Sequence, residues 1–252
     1  MPAAYDKYDY VKYWVGREYE NKAEVIAIKS FLSKIKKIHT IFEIGAGFGR
    51  LAPSYMFRAK KVILSDPSSK TLKLARKTFS RTKNIKFIHT SVENIPSKVR
   101  AGSVDVVVMV RVLHHIKDVD SAFKIINRVL SKGGYLVLEF ANKRHFKASF
   151  ENLLKGNFGF FSNENPTDIR SAKSLRQGAL PFMNYDPNRI RQMLSNEGFQ
   201  IIDQRSVSNI RSPFLKSIFS TDVLVSLDAL LQKPLSYIDF GPSIFVLARK
   251  RA

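Results

Sequence analysis

The sequence predicts an α/β protein built on an open, mostly parallel sheet. Three observations lead there. Between residues 17 and 140, short apolar runs of strand length alternate with segments of helical periodicity. The run Val104–Val110 is apolar but for Asp105, as expected of a strand buried on both faces. Three glycines, Gly45, Gly47 and Gly49, follow the first strand directly and precede a helix. Strands joined by helices pair in parallel through right-handed crossovers, which gives the open sheet.

Each element has its own signal. Arg17 to Lys37 carries Ala23, Ile26, Ala27, Phe31 and Ile35 at helical spacing. Thr40–Ile44 is a short apolar strand running into the glycines, Lys61–Ser65 a second strand, Ser68–Ser80 a helix, and Ile85–Thr90 a third strand. After the fourth strand, Asp118 or Asp120 caps a helix with Phe123, Ile126, Val129 and Leu130 on one side, and Gly133-Gly134 ends it. Tyr135–Phe140 is the fifth strand. Asp186-Pro187 supplies a cap and a first-turn proline for a helix that stops at Gly198. Phe199–Val207 and Ser243–Arg249 are the last strands, and Pro213 to Pro234 encloses a strongly apolar helix. Two long excursions, 141–184 and 208–241, leave the sheet near the carboxyl ends of its strands, where open α/β sheets bind ligands.

Composition narrows the function. The 252 residues include no cysteine. That excludes disulfides, thiolate metal sites and covalent mechanisms with a sulfur nucleophile. The start, MPAAYDKYDYVKYW, has no apolar core of signal-peptide length, and no uncharged apolar run approaches the roughly 18 residues of a membrane span. A cytoplasmic protein is expected, with weak peripheral contact to a membrane as the variant. Lys and Arg number 42 against 21 Asp and Glu, a net charge of +21. One run, Lys70, Lys73, Arg76, Lys77, Arg81, Lys83 and Lys86, has no acid within it. It suits nucleic acid, anionic lipid or a phosphorylated substrate, but a solvated helix face is the favoured reading.

The glycines read Glu43-Ile-Gly45-Ala-Gly47-Phe-Gly49. A dinucleotide fingerprint needs its third glycine at position 50, where this chain has Arg50. An acid, Asp66, closes the second strand. Ser91-Val-Glu-Asn-Ile-Pro96 follows the third, Ser103-Val-Asp105 opens the fourth, Val112-Leu-His114-His115-Ile follows it, and Arg128 to Glu139 completes the series. Together these motifs resemble the class I S-adenosylmethionine-dependent methyltransferases of small-molecule type, over about residues 40–140. The resemblance implies a Rossmann-like, seven-stranded, mostly parallel sheet with helices on both faces and lid-like insertions. Residues 1–39 then form an N-terminal cap-helix region. Residues 40–252 form the methyltransferase domain, with insertions at about 141–184 and 208–241 as a substrate lid.

The same resemblance assigns S-adenosyl-L-methionine as cofactor and places residues around it. Glu43 and the loop of Gly45, Ala46, Gly47 and Gly49 face its methionine part. Asp66, with Pro67 beside it, accepts from the ribose hydroxyls. Ser91, Val92 and Glu93 border the adenine, with Ser91 standing where many relatives carry Asp. Arg111 lies near the transferred methyl. No metal is implied. The expected function is methyl transfer to a small-molecule or lipid-like acceptor. The alternatives are an RNA methyltransferase, suggested by the charge, and a cofactor-binding module without catalysis.

Methyl transfer needs a base only where the nucleophile must lose a proton. His114, His115 and His145 are the candidates, because histidine titrates near working pH. Asn142, Arg144, Asn209 and Arg211, on loops after later strands, are candidate substrate contacts, and Trp14, Arg17 and Tyr19 are candidates to close over the cofactor. Phe150, Phe158, Phe160 and Phe161 cluster in the first excursion. Phe214, Leu215, Ile218, Phe219, Val223, Leu227, Leu230 and Leu231 form a stripe in the second. Core packing is the default for such a stripe; an apolar pocket or a membrane-touching surface is the sharper reading.

Overall fold

The computed structural model describes residues 10–176 and 179–251. Strands β1 (Ile38–Ile44), β2 (Ala59–Asp66), β3 (Ile85–His89), β4 (Val104–Met109) and β5 (Leu130–Ala141) come first. A small pair, β6 (Thr167–Asp168) and β7 (Met183–Asn184), lies apart from the main sheet. Strands β8 (Phe199–Val207) and β9 (Ser243–Lys250) complete the seven-stranded sheet, whose order is β3-β2-β1-β4-β5-β9-β8. The strands from β3 to β5 pair in parallel, and β9 enters antiparallel between β5 and β8.

Ten helices accompany the sheet among the described residues: α1 (Tyr10–Tyr13), α2 (Glu18–Leu32), α3 (Ser69–Thr78), α4 (Val119–Val129), α5 (Phe146–Leu154), α6 (Gly159–Ser162), α7 (Ala172–Arg176), α8 (Pro187–Asn196), α9 (Pro213–Ile218) and α10 (Thr221–Ser236). The strand period of two sorts side chains into two cores. Val107 and Met109 of β4 point to one, with Phe123 and Ile126 of α4 and Ile190 and Leu194 of α8. Val106 and Val108 point to the other, with Ala23, Ala27 and Phe31 of α2. Each fully buried Val, Ile or Phe contributes roughly 1.5–3 kcal/mol, so the apolar run of β4 anchors both layers.

Most expected elements stand; one of the two offered caps of α4 is chosen, and two boundaries differ for physical reasons. Asp118, not Asp120, caps α4, by accepting from the Ser121 N–H at 2.9 Å. That helix ends at Val129, before Gly133-Gly134. Leu130 already pairs with Val104, and the glycines bulge out of β5 before Tyr135 meets Val106; Gly133 adopts φ +69° there. The helix between Pro213 and Pro234 is two helices. Phe219 turns extended, Ser220 caps α10, and α10 continues past Pro234 to Ser236.

The apolar stripe of that segment is not core. Leu224 and Val225 pack against Tyr19, but Phe214, Ile218, Phe219, Val223, Leu227, Leu230 and Leu231 are exposed. The long basic run falls on α3 and the turn after it, where Lys73, Arg76, Lys77, Arg81 and Lys83 are all solvent-facing. Among the described residues, no helix is long and apolar enough to cross a membrane.

Candidate active site

The loop after β1 turns in left-handed backbone. Gly45 has φ +71°, and a Cβ there would overlap Val112 Cγ2. Gly49 has φ +80°, and its Cβ would lie 2.5 Å from Phe79 Cε2. Only glycine meets both demands. The loop is tied to β2 at two points: Ala46 N–H donates to Ser65 O at 2.8 Å, and Gly47 N–H donates to Asp66 Oδ2 at 2.8 Å. Asp66 Oδ1 accepts from Ser68 N–H at 2.8 Å and from the Thr71 hydroxyl at 3.1 Å. A buried carboxylate at a strand end thus sets the shape of the glycine turn.

A cavity of about 290 Å³ opens beside this turn. Gly45, Gly47, Asp66 and Pro67 form one wall, Ser91, Val92 and Glu93 continue it, and Arg111, Val112, His115 and Ile116 form the opposite side. Tyr10 and Leu180 come from distant parts of the chain to close it. The strand order β2-β1-β4 accounts for this. Asp66 ends β2 and His115 follows β4, so they flank the glycine turn of β1 from its two sides.

Arg111 has φ +57°, a conformation that costs a non-glycine residue about 1–2 kcal/mol. Two carboxylates hold it. Its N–H donates to Glu139 Oε2 at 2.7 Å, and its Nε donates to Glu24 Oε1 at 2.6 Å. Burial opposes the charge of Arg111, yet Glu24 and then Glu139 keep its pKa above the ordinary arginine value. The second oxygen of Glu24 takes Arg50 at 2.6 Å, and the Arg50 guanidinium lies 3.5 Å from the Trp14 ring centre. Glu24, fully buried on α2, therefore straps the N-terminal segment across the site.

Several expected residues do other work. Glu43 does not line the cavity; its carboxylate accepts from the buried Tyr55 hydroxyl. Burial raises its pKa to about 7, against the opposing bond from Tyr55. Ala46 and Gly49 also lie behind the wall, as parts of the turn. Asn142 is fully buried and spends its amide on Asp239 O and Gly241 O, at 2.5 and 2.8 Å. Arg144 pairs with buried Asp186. Asn209 bonds Ser206 O and Asp228. These three knit the excursions to the sheet. Arg211 keeps solvent access; partial burial first, then the neighbouring Arg111, push its pKa below the ordinary value.

The three histidines separate. His145 caps α5, its Nδ1 accepting from Ala148 N–H at 3.4 Å, and it does not line the cavity. His114 is buried, stacked on Phe182 with ring centres 4.2 Å apart, and burial drives its pKa well below the usual value. His115 does line the cavity. Its Nδ1 lies 2.6 Å from Pro181 O. A carbonyl only accepts, so Nδ1 carries the proton and Nε2 the lone pair. Burial also lowers the His115 pKa, which keeps the ring neutral near pH 7.

Sequence reasoning missed Glu24, Tyr10 and Leu180. Glu24 had a signal, an acid inside the apolar face formed by Ala23, Ala27 and Phe31. Tyr10 and Leu180 had none, because only long-range folding brings them to the cavity. Of the expected N-terminal closers, Trp14 stacks on Arg50. Arg17 lies over the Tyr13 ring, and Tyr19 bonds Asp228 away from the cavity.

Residues 42–138 match the family described as Methyltransferase domain. Those residues form an S-adenosylmethionine-dependent methyltransferase domain. A relative, the ubiquinone/menaquinone biosynthesis C-methyltransferase UbiE of Pseudoalteromonas translucida, is 27% identical over 183 residues, covering 67% of this chain and 69% of its own. Among solved structures, the methyltransferase fold is shared with a possible histamine N-methyltransferase of Thermotoga maritima. Its TM-score is 0.62 at 17% identity, with 98% of each chain covered. The putative methyltransferase complexed with the Trm112 activator from Haloferax volcanii gives 0.64 at 16% identity, over 99% of this chain and 97% of that one. The cofactor of the methyltransferase is S-adenosylmethionine, and the match spans the loop, Asp66 and both walls of the cavity.

Proposed function

We propose that this cavity holds the cofactor and that the acceptor is a small, apolar molecule entering beside His115, Ile116 and Leu180. The observation that carries this reading is a cavity lined by Asp66 on one side of the glycine turn and His115 on the other. The residues suit the cofactor. Gly47 lets a ligand approach the backbone. The Asp66 carboxylate, fixed by three donors, is placed to accept from ribose hydroxyls. Ser91, Val92 and Glu93 border the adenine. Glu43 supports the turn through Tyr55 and does not touch the ligand.

Bound there, S-adenosylmethionine supplies an electrophilic methyl on a sulfonium whose departing thioether is neutral, so no acid is required on that side. The chain's own part is orientation, desolvation and proton removal. Orientation alone is worth about 7–11 kcal/mol in favourable cases. Val112, Ile116 and Leu180 exclude water from the acceptor side. His115 Nε2 takes the proton that the acceptor's nucleophile loses as its new bond to the methyl carbon forms. Arg211, near the N-terminal strap, is the remaining polar candidate for contact with the acceptor.

The name of the Pseudoalteromonas relative makes a precursor of ubiquinone or menaquinone the first acceptor to try, with carbon as the methylated atom. The test is transfer of labelled methyl to such a precursor and to separated lipid, aqueous, protein and RNA fractions of a cell extract. His115→Gln is expected to lower kcat roughly 100-fold or more, with S-adenosylhomocysteine affinity unchanged. Label entering RNA or protein alone, or full turnover by His115→Gln, would overturn the reading.

A further inference from the structure

We infer that the outer face of the two excursions is a docking surface for an anionic lipid bilayer. Val223, Leu227 and Leu230 recur along α10 at one-turn intervals and face solvent, with Leu230 at 75% exposure. The inner side of α10 packs on α2 and β8, so the outer row is not a core stripe. Helix α5 adds Phe146, Phe150 and Leu154, the last at 72% exposure.

Helix α5 packs against the turn that follows α10. The Phe146 ring stacks on Phe240 with centres 4.9 Å apart, and Phe146 N–H donates to Phe240 O at 2.8 Å. Phe146 also stacks on Phe150. Tyr237 and Ile238, just before Phe240, are 76% and 68% exposed. Scattered apolar side chains need no explanation, but a contiguous surface of this kind does.

Charge selects the occupant. The chain carries +21, and the two excursions together have ten basic side chains against six acidic ones. The acids at the edge of the face are paired with lysines: Glu151 with Lys147 at 3.8 Å, and Asp222 with Lys22 at 2.6 Å. Asp228 lies on the buried side of α10 and bonds Tyr19 and Asn209. Two such cationic copies repel one another. Anionic headgroups attract this surface, and Phe, Tyr and Leu bordered by lysine settle at a bilayer interface. Leu180, in the same excursion as α5, lines the cavity, so the docked face and one cavity wall belong to one segment. The inference does not depend on the acceptor, because the test below involves no turnover.

The test is co-sedimentation of the full chain with vesicles of phosphatidylcholine alone and of phosphatidylcholine mixed with phosphatidylglycerol. Binding to the mixed vesicles is expected to exceed binding to the neutral ones and to weaken as salt is raised. The variant Phe150→Ser/Leu154→Ser/Leu230→Ser/Ile238→Ser should lose about tenfold or more in partitioning, with S-adenosylhomocysteine affinity and circular dichroism unchanged. If that variant unfolds, Leu154→Ser/Leu230→Ser is read instead, with an expected loss of about threefold. No binding to mixed vesicles at low salt, or equal binding by folded variant and parent, overturns the inference. So does sedimentation velocity showing a dimer that the variant abolishes without any vesicle binding, which assigns the face to a second copy.

Discussion

Replacing Asp66 by alanine removes three hydrogen bonds at once, from Gly47 and Ser68 N–H and from the Thr71 hydroxyl. A hydrogen bond to a charged group contributes about 1.5–3 kcal/mol. The donors stand at the rim of a cavity and water can replace part of the loss, so destabilisation of about 2–4 kcal/mol is expected. The ribose contacts proposed above are two further charge-assisted bonds. Their loss should weaken S-adenosylhomocysteine by about 3 kcal/mol, or roughly 100-fold. Asp66→Asn keeps the size and one acceptor oxygen but turns an amide NH₂ toward a backbone donor, so a loss of about tenfold is expected. Calorimetric titration below the melting temperature of each variant measures affinity, and thermal melts measure stability separately. Were Asp66 only a turn residue, both variants would melt earlier while the folded protein bound with a constant within about twofold of the parent. That pair of results would refute the ribose role.

Glu24→Ala should cost about 3–5 kcal/mol in urea unfolding, because it strands Arg50 and Arg111 inside the fold; a change under about 1 kcal/mol would contradict the strap. Gly45→Ala should abolish cofactor binding by driving a methyl into Val112, and Gly45→Ala/Val112→Ala should recover only part of it, because the left-handed backbone stays strained; full recovery in titrations would show that contact alone matters. Burial raises the Glu43 pKa to about 7, so the folded state holds a proton that the unfolded chain has released. Its contribution is complete below the ordinary carboxyl value of 4.5 and falls as pH rises through about 7, by about 3 kcal/mol in the limit. Urea midpoints across that range should show the decline, and Glu43→Gln should flatten it; an unchanged slope would place the titration elsewhere.

Periodicity, the glycine turn and Asp66 at the end of β2 made the sheet and one wall of the cavity legible in the sequence. Those signals are local: a buried strand must be apolar, and a turn with φ +71° and +80° must use glycine. The acceptor side was less legible. Asn142, Arg144 and Asn209 have the right residue types on the right edge, yet partners from remote segments consume them. Residue type states what a side chain can bond, and only packing states what it does bond.

The order of elements and their apolar periods by themselves determined an α/β sheet with a glycine turn and an acid at the end of β2, because backbone sterics and strand burial act within a few residues. Tertiary structure alone decided that His115 and not His145 reaches the cavity, that Glu24 closes the strap over Arg50 and Arg111, and that Leu227, Leu230 and Leu231 of α10 face outward. Each of those outcomes depends on which surfaces meet across remote parts of the chain, from the 26 residues between Glu24 and Arg50 to the 66 between His115 and Pro181, and no spacing within one helix encodes the partner that covers it.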